Sequence, residues 1–487
     1  MTAPAAAPAP VASPAPAADE RVPTKYVLAL LASFLFGFAI TFSRGAYSEP
    51  ALVTVLLAFE LVVWLFVATL RGRKEEGTLT MAAAIGAIGV PLCMVYRAAT
   101  DPQIVIYPIK QWDTGHQMIL VTGGLMLTYV PFLVPSLRKW ELDGVKWGRV
   151  ALFAVAVFAA GYDVIKTSPR PYIDTWVVQQ LADQELLAGH DPYETVAVRD
   201  TGPRAANDVP FVYPPTQIYL SLPGWIAAKD VRWGHLSCLL LAGLFLRLIV
   251  LRSKRNLPSV LIDAPMLFLW MQPKMFFIIE QSWVDPVQVM VICAATTAHV
   301  YQRPRLATVL FGVVLTAKQT MFWLAGLAGS IFGYKPKQWL IAGAVGGAAV
   351  LPFALWNFGA MKHALFDFVN ALPARPDALT FINFLARHVG IEIPPNGAFL
   401  MALAVAGVSA WKLRGSLVKF GVAALATYTI FFVFNRWAFA NYYFLLSGLA
   451  ALTAALALHE GLEAPAPAVA EPKNETAPAV TAPAQSA

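Results

Sequence analysis

Charge is what this chain of 487 residues has least of: Asp, Glu, Lys and Arg together supply 13%, against 58% hydrophobic residues and a mean hydropathy of +0.59. Soluble domains carry about 25% charged residues, so a water-soluble enzyme is excluded. Cysteine is scarce too. Cys93, Cys238 and Cys293 each lie inside an apolar run without metal-like spacing, which leaves them as small apolar packers and says nothing of redox compartment. There is no Walker loop, dinucleotide fingerprint, zinc spacing or serine-hydrolase elbow, so a soluble nucleotide is not the expected donor of any group. The net charge of +7 does not point to nucleic acid, because the basic residues form short clusters between apolar runs rather than one patch.

Those apolar runs are what the chain does have. Each is close to the ~20 residues that cross a bilayer. They fall at 26–43, 51–70, 78–97, 117–137, 148–166, 233–251, 259–279, 285–301, 306–318, 320–334, 338–356, 397–411, 417–434 and 438–458. The expected fold class is an all-α polytopic membrane protein of about 14 transmembrane helices, with an external loop carrying surface helices. The Ala/Pro-rich segments 1–25 and 461–487 read as disordered cytoplasmic tails, and they suggest a GC-rich bacterial genome and hence a plasma membrane. Residues 26–137 read as an added module of four helices in front of a main membrane domain, 148–458.

Cations mark alternate connections: Arg71, Arg73 and Lys74; Arg138, Lys139, Lys146 and Arg149; Arg252, Lys254 and Arg255; Arg303 and Arg305; Lys335 and Lys337; Lys412, Arg414 and Lys419. Placing all of them in the cytoplasm satisfies the positive-inside rule and puts both termini inside. Tyr213–Ala228 is apolar but contains Pro214, Pro215 and Pro223, so it reads as a helix on the outer leaflet rather than a span. The loop 166–231 is then wholly external. So are Glu280–Asp285, the Lys318-Gln319 turn, the loop 357–396 and Asn435-Arg436.

These external segments hold the candidate site. Asp174 opens a helix after Pro169 and Pro171, and it reads either as an N-cap or as a carboxylate set beside Val178 and Leu181, where desolvation suits a general base. Gln179 and Tyr213 belong to the same loop. Gly189-His-Asp-Pro-Tyr193 reads as a helix end and turn, with structural roles for Asp191 and Tyr193. Glu280, Gln281 and Asp285 either sit solvated at a helix junction or line a cavity, where they would orient sugar hydroxyls or hold a cation. Lys318 and Gln319 join two short helices, and a lysine among apolar residues needs a partner: a lipid phosphate, or Glu280 or Asp285. Arg375, His388, Arg436, Asn441 and Tyr442 complete the set, arginine being suited to bidentate phosphate contacts and equally to snorkelling.

Four stretches resemble the GT-C superfamily of integral membrane glycosyltransferases, and within it glycosyltransferase family 87: the loop Asp174 followed by Leu186-Leu-Ala-Gly-His-Asp-Pro-Tyr193, Tyr213-Pro-Pro215, Ala317-Lys-Gln319, and Asn435-Arg-Trp-Ala-Phe-Ala-Asn-Tyr-Tyr443. The likeness covers about 148–458. It implies a polyprenyl-monophosphate sugar donor, a lipid or glycan acceptor, inverting transfer on the extracytoplasmic face, and Asp174 as catalytic base. No cofactor is expected, and a divalent cation is left open. In the family the catalytic loop follows the first span and a Gly-Gln precedes a later helix; here the loop follows the fifth run and Glu280-Gln281 stands in that place. The alternatives are a polysaccharide polymerase or ligase using lipid-diphosphate donors, and a lipid-linked sugar flippase or transporter.

Overall fold

The computed structural model describes residues 21–73, 77–100, 111–171, 173–197, 209–253, 257–391, 394 and 396–461. The chain is mostly helical. Its first part runs β1 (Arg21–Pro23), α1 (Thr24–Ala39), α2 (Glu49–Leu70), β2 (Gly77–Leu79), α3 (Thr80–Thr100), α4 (Gln111–Leu127), α5 (Pro135–Arg138) and α6 (Asp143–Thr167). A polar connection follows, with α7 (Asp174–Ala188), β3 (Val196–Ala197), β4 (Val209–Pro210) and α8 (Thr216–Ala228). Then come α9 (Arg232–Leu251), α10 (Ser259–Trp270), α11 (Met275–Glu280), α12 (Asp285–Val300), α13 (Pro304–Leu315) and α14 (Phe322–Phe332). The last part is α15 (Pro336–Lys362), α16 (Phe368–Ala371), α17 (Phe381–His388), α18 (Asn396–Lys412), α19 (Leu417–Val433) and α20 (Ala440–Glu460). The strands form two antiparallel two-stranded ribbons, β1 with β2 and β3 with β4.

The apolar runs are mostly helical, but by length and composition six helices of the described chain could cross a membrane: α2, α3, α6, α9, Pro336–Ala371 and α20. Burial separates the centre of the bundle from its edge. In α20, 89% of the apolar window is buried, whereas the Pro336–Ala371 helix buries 17% and faces outward.

Several boundaries differ from the sequence reading. Arg21–Pro23, inside the expected tail, forms β1 and pairs with β2; residues 1–20 and 462–487 lie outside the described residues. The run 259–279 is two helices. Pro273 has no N–H to give, and the chain breaks at Met271–Lys274 between α10 and α11. The expected external loop 357–396 is helical at its start, through Lys362 and on to Ala371, with a kink at Asn357. The boundary at 137 is not a seam. α1 packs against α20, and α2 against α19. Tyr26 Oη donates to the Leu261 carbonyl at 2.9 Å, and the Ser33 and Ser447 hydroxyls meet at 2.8 Å. Such polar pairs hold helices together where apolar burial alone gives little discrimination.

One contact ties the α1–α2 turn to the top of α20. Gly45 has φ +77°, and a Cβ there would stand 2.2 Å from the Ala440 nitrogen. Beside it, Ala46 bridges Ala378, and the Tyr47 N–H donates to the Asp377 carbonyl at 2.8 Å. Gly45→Ala is therefore expected to destabilise the protein by about 1–3 kcal/mol through overpacking and a disfavoured backbone. Thermal unfolding in detergent checks this; an unchanged midpoint would show that the turn is free to move away from α20.

Candidate functional site

The polar segments meet at one end of the bundle, and side-chain bonds to backbone carbonyls bring them there. α7 lies across that end. Thr175 Oγ1 donates to the Gln281 carbonyl at 2.7 Å, and Gln179 Nε2 donates to the Ser282 carbonyl at 2.7 Å. Both carbonyls belong to the turn between α11 and α12, where Ser282 adopts φ +54°. On its other flank, Gln180 bonds the Lys229 carbonyl and the Val231 N–H at 3.1 and 3.0 Å, fixing α7 to the α8–α9 corner. α8 begins beside the turn after α13: Thr216 and Thr316 hydroxyls are 2.7 Å apart, and Gln217 donates to the Ala317 carbonyl.

Asp174 is the first residue of α7 and is half-buried. The N-cap is Ile173, so the capping role open to Asp174 is taken by a residue without a capping side chain. Asp174 Oδ1 accepts the Thr175 N–H at 2.8 Å. The positive end of the helix favours a carboxylate there. Tyr213 is pushed well above the usual tyrosine range by burial, then by the carboxylates of Asp174 and Asp285. Arg375 is pushed up chiefly by its hydrogen bonds to Asp377, with a contribution from Asp174. Its fork grips Asp377, Nε to Oδ1 at 2.8 Å and Nη2 to Oδ2 at 2.7 Å, so the bidentate edge expected for phosphate is engaged within the chain.

Lys318 sits in the break between α13 and α14, helices of 12 and 11 residues. At about 1.5 Å per residue each spans roughly 17–18 Å, well short of the ~30 Å of a bilayer core. The break thus lies below the level that a full-length helix would reach. Of its expected partners, the lysine has the carboxylate: Nζ is 3.3 Å from Asp285 Oδ1 and 4.7 Å from the Tyr442 ring centre. Gln288 Nε2 also donates to Asp285 Oδ1, at 3.2 Å. Three buried acceptors here have no donor among the described residues: Asp285 Oδ2, Gln288 Oε1 and Gln179 Oε1. Buried acceptors of this kind need a donor, and a ligand rich in O–H groups supplies one.

Other expected positions take different places. Gln281 donates to Glu280 Oε2 at 3.2 Å, and Glu280 is fully buried inside the bundle. Gln319 uses its amide on the Val212 and Leu365 carbonyls at 2.7 and 3.3 Å, which makes it a brace. His388 is a correction: it stands on the surface against Tyr47, 3.3 Å from the phenol oxygen, and near Glu49, because α17 points it at the α1–α2 turn. Arg436 is half-buried, Nη2 3.4 Å from the Asn370 carbonyl. Asn441 is buried at the start of α20 beside Tyr442. Gly189, at φ +83°, closes α7 as the turn motif requires, and Tyr193 Oη donates to the Tyr213 carbonyl at 2.9 Å, a structural role. Thr175, Ser282 and Gln288 were not expected; the signal open to the sequence was their spacing, one residue after Asp174 and three after Asp285. Lys274, fully buried at the α10–α11 break, was also missed, although a lysine after Pro273 within an apolar run marks it. Among the described residues no three His, Cys, Asp or Glu side chains gather as a metal centre requires.

No protein-family model, curated protein or solved structure matches the chain.

Behind the site, α7 rests on α8 through a buried carboxylate. Asp183 is fully buried, accepts from Ser221 Oγ at 2.9 and 3.2 Å, and is raised by burial to about 7. Because folding raises its proton affinity, the stability it contributes is complete below the ordinary carboxylate range near 3.8 and is lost as pH rises through about 7. The unfolding midpoint is expected to fall as pH rises from about 3.8 to about 7, and Asp183→Asn should flatten that fall. An identical slope in the variant would show that other groups cause it.

Proposed function

We propose that the chain is a membrane glycosyltransferase of the GT-C type, moving a sugar from a polyprenyl monophosphate to a lipid- or glycan-linked hydroxyl. The observation that carries this reading is a set of buried acceptors without a donor among the described residues: Asp285 Oδ2 and Gln288 Oε1 beside Lys318, and Gln179 Oε1 on the helix that Asp174 opens. Sugar hydroxyls satisfy such acceptors, and the neighbouring cation suits a departing phosphate. Asp174 takes the proton of the acceptor hydroxyl as its oxygen attacks the anomeric carbon. The bond from that carbon to the phosphate oxygen breaks, and polyprenyl phosphate leaves with the electron pair. One displacement assisted by one base inverts the anomeric centre. Phosphate would compete with Asp285 for Lys318 and with Asp377 for Arg375, so both ion pairs loosen as the donor binds. We read all fourteen apolar segments as crossings, with shorter ones tilted or re-entrant, both termini cytoplasmic and Asp174 extracytoplasmic in a bacterial plasma membrane.

One observation favours a second reading, a transporter of lipid-linked sugar. α10–α11 and α13–α14 are both discontinuous, and buried lysines stand at both breaks. Broken helices with ionisable residues at the breaks are also how transporters build a substrate path. Purified protein supplied with a labelled polyprenyl-phosphate sugar and an acceptor separates the two. Transfer should form a new glycosidic bond, and Asp174→Asn should lower its rate by about 10²–10⁴-fold while the unfolding midpoint holds. Undiminished transfer in that variant removes Asp174 from its role; movement of lipid between leaflets without bond formation favours the transporter.

A further inference from the structure

The acceptors of the candidate site are closed off. Asp285 and Gln288 have no exposed surface and Gln179 has 1%, so a sugar reaches them only if a covering element moves. Three elements border that end. α7 is held by the bonds of Thr175, Gln179 and Gln180, at 2.7–3.1 Å. α8 is tied at its start by Thr216 and Gln217. The third is the stretch Phe358–Ala371, which continues α15 beyond the kink at Asn357. Among the described residues it makes two hydrogen bonds to elements other than α15, and both are long. The Leu365 carbonyl accepts from Gln319 at 3.3 Å, and the Asn370 carbonyl accepts from Arg436 at 3.4 Å.

The kink gives this stretch a place to turn. Asn357 has φ −152° and ψ 90°, extended backbone inside what is otherwise one helix from Pro336 to Ala371. Asparagine is a poor helix former because its side chain bonds nearby backbone. Here its Oδ1 accepts the Ala360 N–H at 3.0 Å and caps the second half as a separate helix. The amide nitrogen of the same side chain donates to Glu194 Oε1, which pins the kink to the loop after α7. Beyond it come a π-helical turn, His363–Asp367, then α16, and the chain leaves in extended backbone at Leu372. Met361, Ala364 and Leu365 are buried in the apolar cluster that contains Val178 of α7, Tyr193 and Tyr213. Phe358, Phe366 and Val369 are exposed. Lifting the stretch in a membrane therefore exchanges apolar protein contacts for apolar lipid, which costs little.

We propose that Phe358–Ala371 is a hinged strap that lifts at Asn357 to admit a lipid-linked ligand sideways from the bilayer. When closed, its inner face packs in the cluster of Tyr213, and its Leu365 carbonyl holds Gln319, the residue after Lys318. Opening straightens the helix at Asn357 and breaks three bonds: Asn357 to Glu194, Gln319 to Leu365 and Arg436 to Asn370. Lid hinges are a few residues that absorb the change in φ and ψ, and Asn357 is placed as one. The ligand part of this inference rests on the reading of the Asp174 end as the site of a lipid-linked sugar; the hinge does not.

The test measures distance rather than transfer. Nitroxide labels go on Phe366→Cys of the strap and Leu187→Cys of α7, both exposed positions, in the full chain carrying Cys93→Ser and held in lipid nanodiscs. At ~1.5 Å per residue Phe366 stands roughly 13 Å from the hinge, so removing a bend of more than about 20° moves it by about 5 Å. Asn357→Ala, which favours unbroken helix, should lengthen the distance between the labels by about that much. Glu194→Ala leaves α15 untouched and should shift part of the population the same way, which guards against a folding defect in the first variant. Polyprenyl monophosphate without a sugar should lengthen the distance in the chain that keeps Asn357, and inorganic phosphate should not. Distances unchanged in both hinge variants overturn the strap. Distances unchanged by polyprenyl monophosphate, or changed equally by inorganic phosphate, overturn the lipid ligand. A chain that shifts with polyprenyl monophosphate yet forms no glycosidic bond keeps the strap and removes glycosyl transfer.

Discussion

A short polar helix laid across the end of an apolar bundle cannot be held there by hydrophobic burial alone. α7 is held by hydrogen bonds from its inner face to two consecutive carbonyls, Gln281 and Ser282, of the α11–α12 turn. The turn presents both carbonyls because Ser282 takes a left-handed conformation, which disfavours a non-glycine residue by about 1–2 kcal/mol. Two hydrogen bonds of about 1 kcal/mol each are of a size to offset that. The consequence is positional. Asp174 lies next to Thr175 and one turn from Gln179, so the bonds that dock the helix also fix where its first carboxylate stands. α12 begins three residues beyond Ser282, at Asp285, and the same turn therefore sets both carboxylates of the candidate site.

The charges of the protein are handled in a uniform way that bears on function. Lys318 meets Asp285, Arg247 meets Asp263 at 2.6 Å, and Arg149 meets Glu141. Buried pairs of this kind add little net stability, because desolvation cancels much of the attraction, yet removing one partner is strongly destabilising. Their value is different at the two ends. Arg247–Asp263 has further support from Tyr129 Oη at 2.7 Å and from Trp147 stacked 4.0 Å from the guanidinium, and it reads as a fixed tie between helices. Lys318–Asp285 is longer, and Asp285 Oδ2 has no donor among the described residues. A pair left with a free acceptor can rearrange around a ligand at lower cost than a saturated one.

Much of this was legible in the sequence, for a physical reason. Bilayer-length hydropathy averages over about 20 residues, so it finds runs such as 51–70, which is α2, almost to the residue. The same averaging hides what happens inside a run. Gln272-Pro-Lys274 is swamped by its apolar neighbours, and the break into α10 and α11 was not seen. Alternating charge assigns a loop to an end of the bundle, which is why Asp174, Asp285, Lys318 and Arg375 were expected on one end. It carries no information about azimuth around the bundle axis. His388 was expected with that group, and its ring stands against Tyr47. The partner of Lys318 was anticipated as Glu280 or Asp285, but only three-dimensional packing across 33 residues decides between them.

The two ends also differ in how they would respond to a ligand. At the Asp174 end the polar groups sit on separate elements, α7, α12, the α13–α14 break and the 373–380 segment, joined by few direct bonds between side chains. A ligand there can draw several elements together. At the opposite end Glu141, Arg149, Ser259, Tyr129, Arg247 and Asp263 are tied through one connected set of contacts between α6, α9 and α10. Side chains linked in one set are harder to displace singly than groups on separate elements, although Arg149 Nε and Arg247 Nη1 have no hydrogen-bond partner among the described residues. α9 runs from the α8 corner beside α7 to the end that holds these contacts, and so spans the two.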